Sequence, residues 1–210
     1  VDTGLMGHLE NEKFLIAVSI STTFLTIIFW SFGFLRMGTV GLISQALGKG
    51  DYRELVYILM RNFFIAIIAS LLIVISLPLL FNILNNIFIT SNETKILIKD
   101  YVTIRVFSAP AEFSIYILVG FFLGIQKTFI SSALIIINSI LNILLSIYFV
   151  TKLDLDVKGV ALGTLLSMYI TAILFSVFTY YFFIKKFKII PRLNIHAILK
   201  IKKIITLFNI

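Results

Sequence analysis

Of the 210 residues, 60% are hydrophobic and only 13% charged, about half the charged share of an ordinary globular domain. Four stretches carry no charge at all, residues 14–35, 62–92, 128–151 and 159–184, and each reaches the length of about 20 apolar residues that a membrane-spanning helix needs. A soluble domain of this size could not cover so many apolar helices, and the absence of cysteine excludes disulfides, thiolate metal sites and cysteine nucleophiles. The net charge of +8 sits in the connections between the apolar stretches, which points to membrane orientation and not to nucleic acid.

Residues 1–9, VDTGLMGHL, read either as a solvated terminus or as the second half of a truncated span. In the second case Asp2 is an intramembrane carboxylate. No basic start precedes an apolar core, so no signal peptide is visible, and the true beginning is expected to lie upstream of Val1. The next span starts near Phe14, and its helix is expected to continue past Arg36 to about Leu47. Gly48, Lys49 and Gly50 then end it. Asp51 and Glu54 have the spacing of an N-terminal cap for a helix that crosses from about Phe63 to Leu84, with a kink expected at Pro78. Thr90 and Glu93 repeat the capping spacing. Asn92-Glu93-Thr94 also matches a glycosylation sequon, but helix capping is the better account of it.

The following span, about Val102–Leu123, is the only one with charges inside it, Arg105 and Glu112. Seven residues apart on one helix, they share a face with Ser108 and Tyr116, about two turns from each other. An ionisable residue at membrane depth is a candidate functional group, although Arg105 near an interface could instead snorkel to water. Gly124–Lys127 turns the chain into the span 129–150. Here Asn138, Asn142 and Ser146 recur every four residues and form one stripe. Such a stripe either fastens neighbouring helices or lines a substrate or ion path. The last span runs from Gly159 to about Ile184 and ends in an aromatic belt, Tyr180 to Phe183. Seven Lys or Arg follow in residues 185–210, either on a helix lying on an anionic membrane surface or on a connector to a further span.

The reading is therefore an all-α, polytopic helix bundle with a lobe at 1–184 and a basic connector at 185–210. With the truncated span counted first, the connections on the tail's side hold eleven Lys or Arg and those on the other side five. The positive-inside rule puts the tail in the cytoplasm and Asp2 in the outer half of the membrane. No metalloprotease, nucleophile-elbow, phosphate-loop or dinucleotide motif occurs, and His8 and His196 lie far apart, so neither an enzyme nor a metal site is expected.

Several strings resemble those of multidrug and toxic compound extrusion (MATE) transporters, in order along residues 1–185. They are residues 1–9, residues 32–39 (FGFLRMGT) with 41–48 (GLISQALG), residues 104–111 (IRVFSAPA), residues 120–126 (GFFLGIQ), residues 142–145 (NILL) and residues 157–164 (VKGVALGT). The FLRM and SAPA strings resemble the DNA-damage-inducible protein F branch. The resemblance implies two six-helix lobes related by pseudo-symmetry, of which this chain is the N-terminal one with its first helix truncated. It implies export of organic, often cationic, compounds across the bacterial inner membrane in exchange for protons or sodium, with no other cofactor. Asp2 matches the family's coupling aspartate and Asn142 its fifth-helix asparagine, with Asn138 one turn earlier. Arg105 matches a recurring arginine of the branch, whereas Glu112 matches no family residue. Many members have an acid where this chain has Ser146, a departure from any two-carboxylate site. The partners implied are the lipid bilayer, small organic substrates and a C-terminal lobe in cis or in trans. Two other readings stand beside this one: a remnant or partner-dependent product of a split gene, and a lipid-linked-saccharide flippase, which would favour a more cationic cavity than Arg105 alone supplies.

Overall fold

The computed structural model describes residues 12–88 and 90–190; Asp2, His8, His196 and most of the basic connector lie outside the described residues. Among the described residues all regular structure is helical. The helices are α1 (Glu12–Trp30), α2 (Phe34–Gly48), α3 (Tyr52–Ile75), α4 (Leu77–Ile87), α5 (Asn92–Val106), α6 (Ala109–Gly124), α7 (Thr128–Thr151) and α8 (Asp156–Phe182), followed by a single π-helical turn, Phe183–Phe187. Among the described residues four stretches are long and apolar enough to span a membrane: Glu12–Gly48, Tyr52–Ile75, Thr128–Thr151 and Asp156–Phe187. The α5–α6 pair makes a fifth if the two helices are one broken span. Many large apolar side chains face outward, among them Ile136, Leu144, Leu72 and Ile173, each more than half exposed. Such a surface is costly in water and suited to lipid.

The helices end where glycine and serine chemistry ends them. Gly50 has φ of +69°, which a side chain would oppose, and the Asp51 amide donates back to the Ala46 carbonyl at 3.0 Å. The Asp51 carboxylate then accepts the Glu54 amide at 3.0 Å and opens α3. Glu54 also holds Arg61 at 2.5 Å, seven residues on and buried. This ion pair leaves Arg61 neutralised beside an apolar core.

Three expectations about the spans need correction. The helix from Phe14 to Leu47 is interrupted at residues 31–33, where the Ser31 hydroxyl donates to the Ile28 carbonyl at 2.6 Å and competes with the helical ladder. The helix expected to kink at Pro78 ends earlier, at Ile75. Ser76 makes the same kind of back-bond, to Ile73 at 2.8 Å, and Pro78 falls in the first turn of α4, where its missing N–H costs nothing. The span 102–123 breaks at Phe107 and Ser108, with the Ser108 hydroxyl donating to the Arg105 carbonyl at 2.7 Å. Pro110 again sits in a first turn, so it creates no defect. Arg105 and Glu112 therefore belong to different helices and share no helix face. A smaller correction concerns α5, whose cap is Ser91, not Thr90. The Ser91 hydroxyl accepts the Thr94 amide at 3.3 Å.

The helices gather into two compact units. The first holds the described residues up to Ser31, Ser70–Ala109 and Ile137–Tyr169. Within it α1 packs along α5, joined by the Thr22 hydroxyl on the buried Tyr101 phenol at 3.1 Å and by an exposed ion pair between Lys13 and Glu93. The second holds Phe32–Ala69, Pro110–Ile136 and the described residues from Ile170 on. There α6 lies against α2 through Gly120 and Gly124. A Cβ on Gly120 would sit 2.7 Å from the Arg36 carbonyl oxygen, and one on Gly124 2.7 Å from the Ile43 side chain. The Ser44 hydroxyl donates to the Gly124 carbonyl at 3.1 Å, and the Asn62 amide to Thr39 at 2.7 Å. Close backbone approach with small residues is how helices associate where no hydrophobic effect drives them together.

Candidate functional site

The first unit contains a second glycine seam, between α7 and α8. Gly159 and Gly163 are one turn apart on α8. A Cβ on Gly163 would lie 2.7 Å from both the nitrogen and the Cα of Ser146, and one on Gly159 3.1 Å from the Phe149 carbonyl carbon. The polar stripe of α7 points into this seam. Asn142 is buried and its side-chain amide donates to the Thr164 hydroxyl at 2.8 Å, while that hydroxyl donates to the Val160 carbonyl at 3.0 Å. Ser146 is fully buried, and its hydroxyl has no hydrogen-bond partner among the described residues. The crossing gives a physical reason for serine at this position: a carboxylate there would need room that the Gly163 backbone occupies. Asn138, one turn earlier, is half-buried, and its buried carbonyl oxygen likewise lacks a partner among the described residues.

Arg105, also in the first unit, is buried at the end of α5 and does not reach for the surface. Its guanidinium donates to the Ser108 hydroxyl, approaches the Met168 sulfur at 3.8 Å and lies over the Phe29 ring at 5.5 Å. The aromatic face and the polarizable sulfur temper the cost of burying this charge. One residue on, the Tyr169 phenol donates to the Phe107 carbonyl at 2.9 Å. It thereby satisfies an acceptor left open by the break between α5 and α6. Glu112 lies in the second unit, where it accepts the Tyr116 hydroxyl at 3.2 Å one helical turn away.

The structure thus brings Asn142 and Ser146 onto one seam, leaves Asn138 half-buried one turn earlier on α7, and sets Arg105 among Phe29, Ser108 and Met168. Met168 and Tyr169 are residues that the sequence reading passed over, and Gly163 and Thr164 entered it only within the string 157–164, with no role of their own. Only the four-residue spacing of Gly159 and Gly163 offered a local signal for any of them.

A family model described as MatE matches residues 1–148. DNA damage-inducible protein F of Escherichia coli (strain K12) is 31% identical over 174 residues, which is 83% of this chain and 38% of that protein. Multidrug export protein MepA of Staphylococcus haemolyticus (strain JCSC1435) is 29% identical over 174 residues, 82% of this chain and 38% of that protein. Among solved structures, a multidrug resistance MATE family transporter of the MOP superfamily, in an inward-facing conformation, matches with a TM-score of 0.84 at 19% identity, covering 99% of this chain and 47% of that one. A MOP superfamily transporter from Pyrococcus furiosus Vc1 (DSM3638), whose pocket of reversed polarity suggests a different function for it, matches with a TM-score of 0.81 at 20% identity, over 99% of this chain and 45% of that one. At these identities the structures speak to the fold alone. The chain spans 38% of the length of the curated relatives it matches.

Proposed function

The chain belongs to the MatE family, and we propose that it acts as one lobe of a cation-coupled exporter of organic compounds. It is a multi-pass membrane protein of the kind that carries molecules and does not transform them. The observation that carries the reading is the family match over residues 1–148, supported by a fold whose matches cover 99% of the chain. In this reading residues 1–184 form the lobe and 185–210 the cytoplasmic connector to a second lobe, in cis or in trans, at the bacterial inner membrane. Alternating access by rocking of one lobe against another requires that partner.

Asp2 takes up and releases the coupling proton or sodium ion. Asn138, one turn before Asn142 on the α7 stripe and with no partner for its carbonyl oxygen among the described residues, lines the path. Asn142 and Ser146 hold α7 to α8 beside it, and the buried Arg105 sets the polarity of the same unit. Glu112 is a second carboxylate at membrane depth and a candidate lining residue.

The test is accumulation of a fluorescent organic cation in cells that lack their own exporters and express the protein. Active protein is expected to lower accumulation, and Asp2→Asn to abolish the effect while the protein remains in the membrane at the same level. Undiminished coupled efflux by Asp2→Asn would overturn the assignment of the coupling residue.

A further inference from the structure

One face of α3 changes character over ten residues. Arg53, Val56, Tyr57, Met60 and Phe63 follow the helical spacing that places them on a single side, about 15 Å from first to last. Two adjoining hollows of the second unit run along that face and share Val56. The outer one, about 430 Å³, is lined by Arg53, Tyr57 and Lys188 with Ile189 and Ile190. The inner one, about 190 Å³, is an apolar slot between Leu59, Met60 and Phe63 of α3, Leu118 of α6, and Thr179 and Phe183 of α8 and the turn after it. The outer hollow lies where two candidate spans end, at the start of Tyr52–Ile75 and just past Asp156–Phe187.

The basic end of this groove is built and not incidental. Phe187 stacks on Tyr52 with ring centres 4.9 Å apart, which fastens the π-helical turn against the start of α3. Lys188 then adopts the left-handed conformation, φ of +54°, with its amide donating to the Phe183 carbonyl. A non-glycine residue enters that region at a cost, and such positions tend to serve a purpose. Here it sets Lys188 on the same hollow as Arg53. Two like charges share one small space, and among the described residues none that lines it is acidic and no ion pair involves either cation. An anion between them would relieve that repulsion.

We propose that this groove binds one anionic phospholipid, its phosphate between Arg53 and Lys188 and an acyl chain in the slot beneath. Charge complementarity selects the headgroup: arginine forks onto phosphate oxygens, and basic pockets at the ends of membrane helices suit anionic lipid. The slot, apolar and opening at membrane depth, selects a ligand with a hydrocarbon tail over a free anion.

The test is native mass spectrometry of the full chain in detergent, titrated with dioleoyl-phosphatidylglycerol, with dioleoyl-phosphatidylcholine, and with inorganic phosphate. Phosphatidylglycerol is expected to bind about 25-fold tighter than phosphatidylcholine, and each neutralised mouth residue to weaken it about fivefold. Arg53→Gln with Lys188→Gln should erase the preference, and Arg53→Lys should keep most of it. Lys127→Gln with Lys152→Gln, which removes as much charge elsewhere, should leave it within about twofold. Met60→Trp, which fills the slot and spares the charges, should weaken both lipids. If the double mouth variant does not fold, Arg53→Gln alone and Met60→Trp decide the matter. Equal binding of the two lipids, retention of the preference without the mouth charges, or displacement of lipid by equimolar inorganic phosphate would each overturn the proposal. So would a photo-crosslinker at Met60 that captures a second copy or residues 191–210 in place of lipid.

Discussion

Gly163 and Ser146 meet so closely that no side chain larger than hydrogen fits at Gly163 while the helices stay where they are. The contact outweighs the hydrogen bond one turn away, because interhelical bonds such as Asn142 to Thr164 average only about 0.6 kcal/mol in membranes, whereas overpacking costs about 1–3 kcal/mol. Gly163→Ala is therefore expected to lower the thermal denaturation midpoint in detergent clearly more than Asn142→Leu does. A Gly163→Ala protein as stable as the parent would mean that α7 and α8 part there at no cost. Half of this seam was legible in the sequence. The four-residue spacing of Asn138, Asn142 and Ser146 put them on one side of a helix. Nothing local said that Thr164, 22 residues on, would receive the Asn142 amide. Arg105 stood out as a charge in an apolar span, but Phe29 and Met168 look like ordinary span residues until folding brings them to the guanidinium.

At the scale of the helix, charge-free stretches located the four long candidate spans, because lipid tolerates so few charges that their absence is a strong signal, whereas the α5–α6 pair carries Arg105 and Glu112. The breaks within spans were less legible. A proline drew attention to 78, yet it lies in a first turn, as Pro110 does, and the interruptions come from serine hydroxyls at 31, 76 and 108 that bond back to the preceding turn. Pro110→Ala should accordingly change stability by no more than about 0.5 kcal/mol, measured by denaturant titration in mixed micelles. A large loss would show that the ring itself sets the break. The cap of α5 gives a matching contrast. Ser91→Ala removes the acceptor for the Thr94 amide and is expected to cost about 1 kcal/mol. Thr90→Ala, whose hydroxyl has no partner among the described residues, should cost much less in the same titration.

For the whole molecule, the distribution of lysine and arginine predicts which connections face the cytoplasm, and the lack of cysteine makes that easy to read. A single cysteine at Gln126, exposed in the turn after α6, should be blocked only by a thiol reagent that crosses the membrane. One at Leu153, exposed in the connection after α7, should react with an impermeant reagent from outside. Labelling with the opposite sidedness would reverse the orientation and with it the position proposed for Asp2. The bond from Tyr169 to the Phe107 carbonyl bears on how the chain is made. Its two ends are 62 residues apart, so at about 5–20 residues per second the acceptor leaves the ribosome some 3–12 s before its donor exists. For that interval the carbonyl between α5 and α6 must keep a water molecule or a borrowed donor. The broken span can therefore enter the bilayer early, but its backbone is completed only when α8, the last membrane helix among the described residues, arrives beside it.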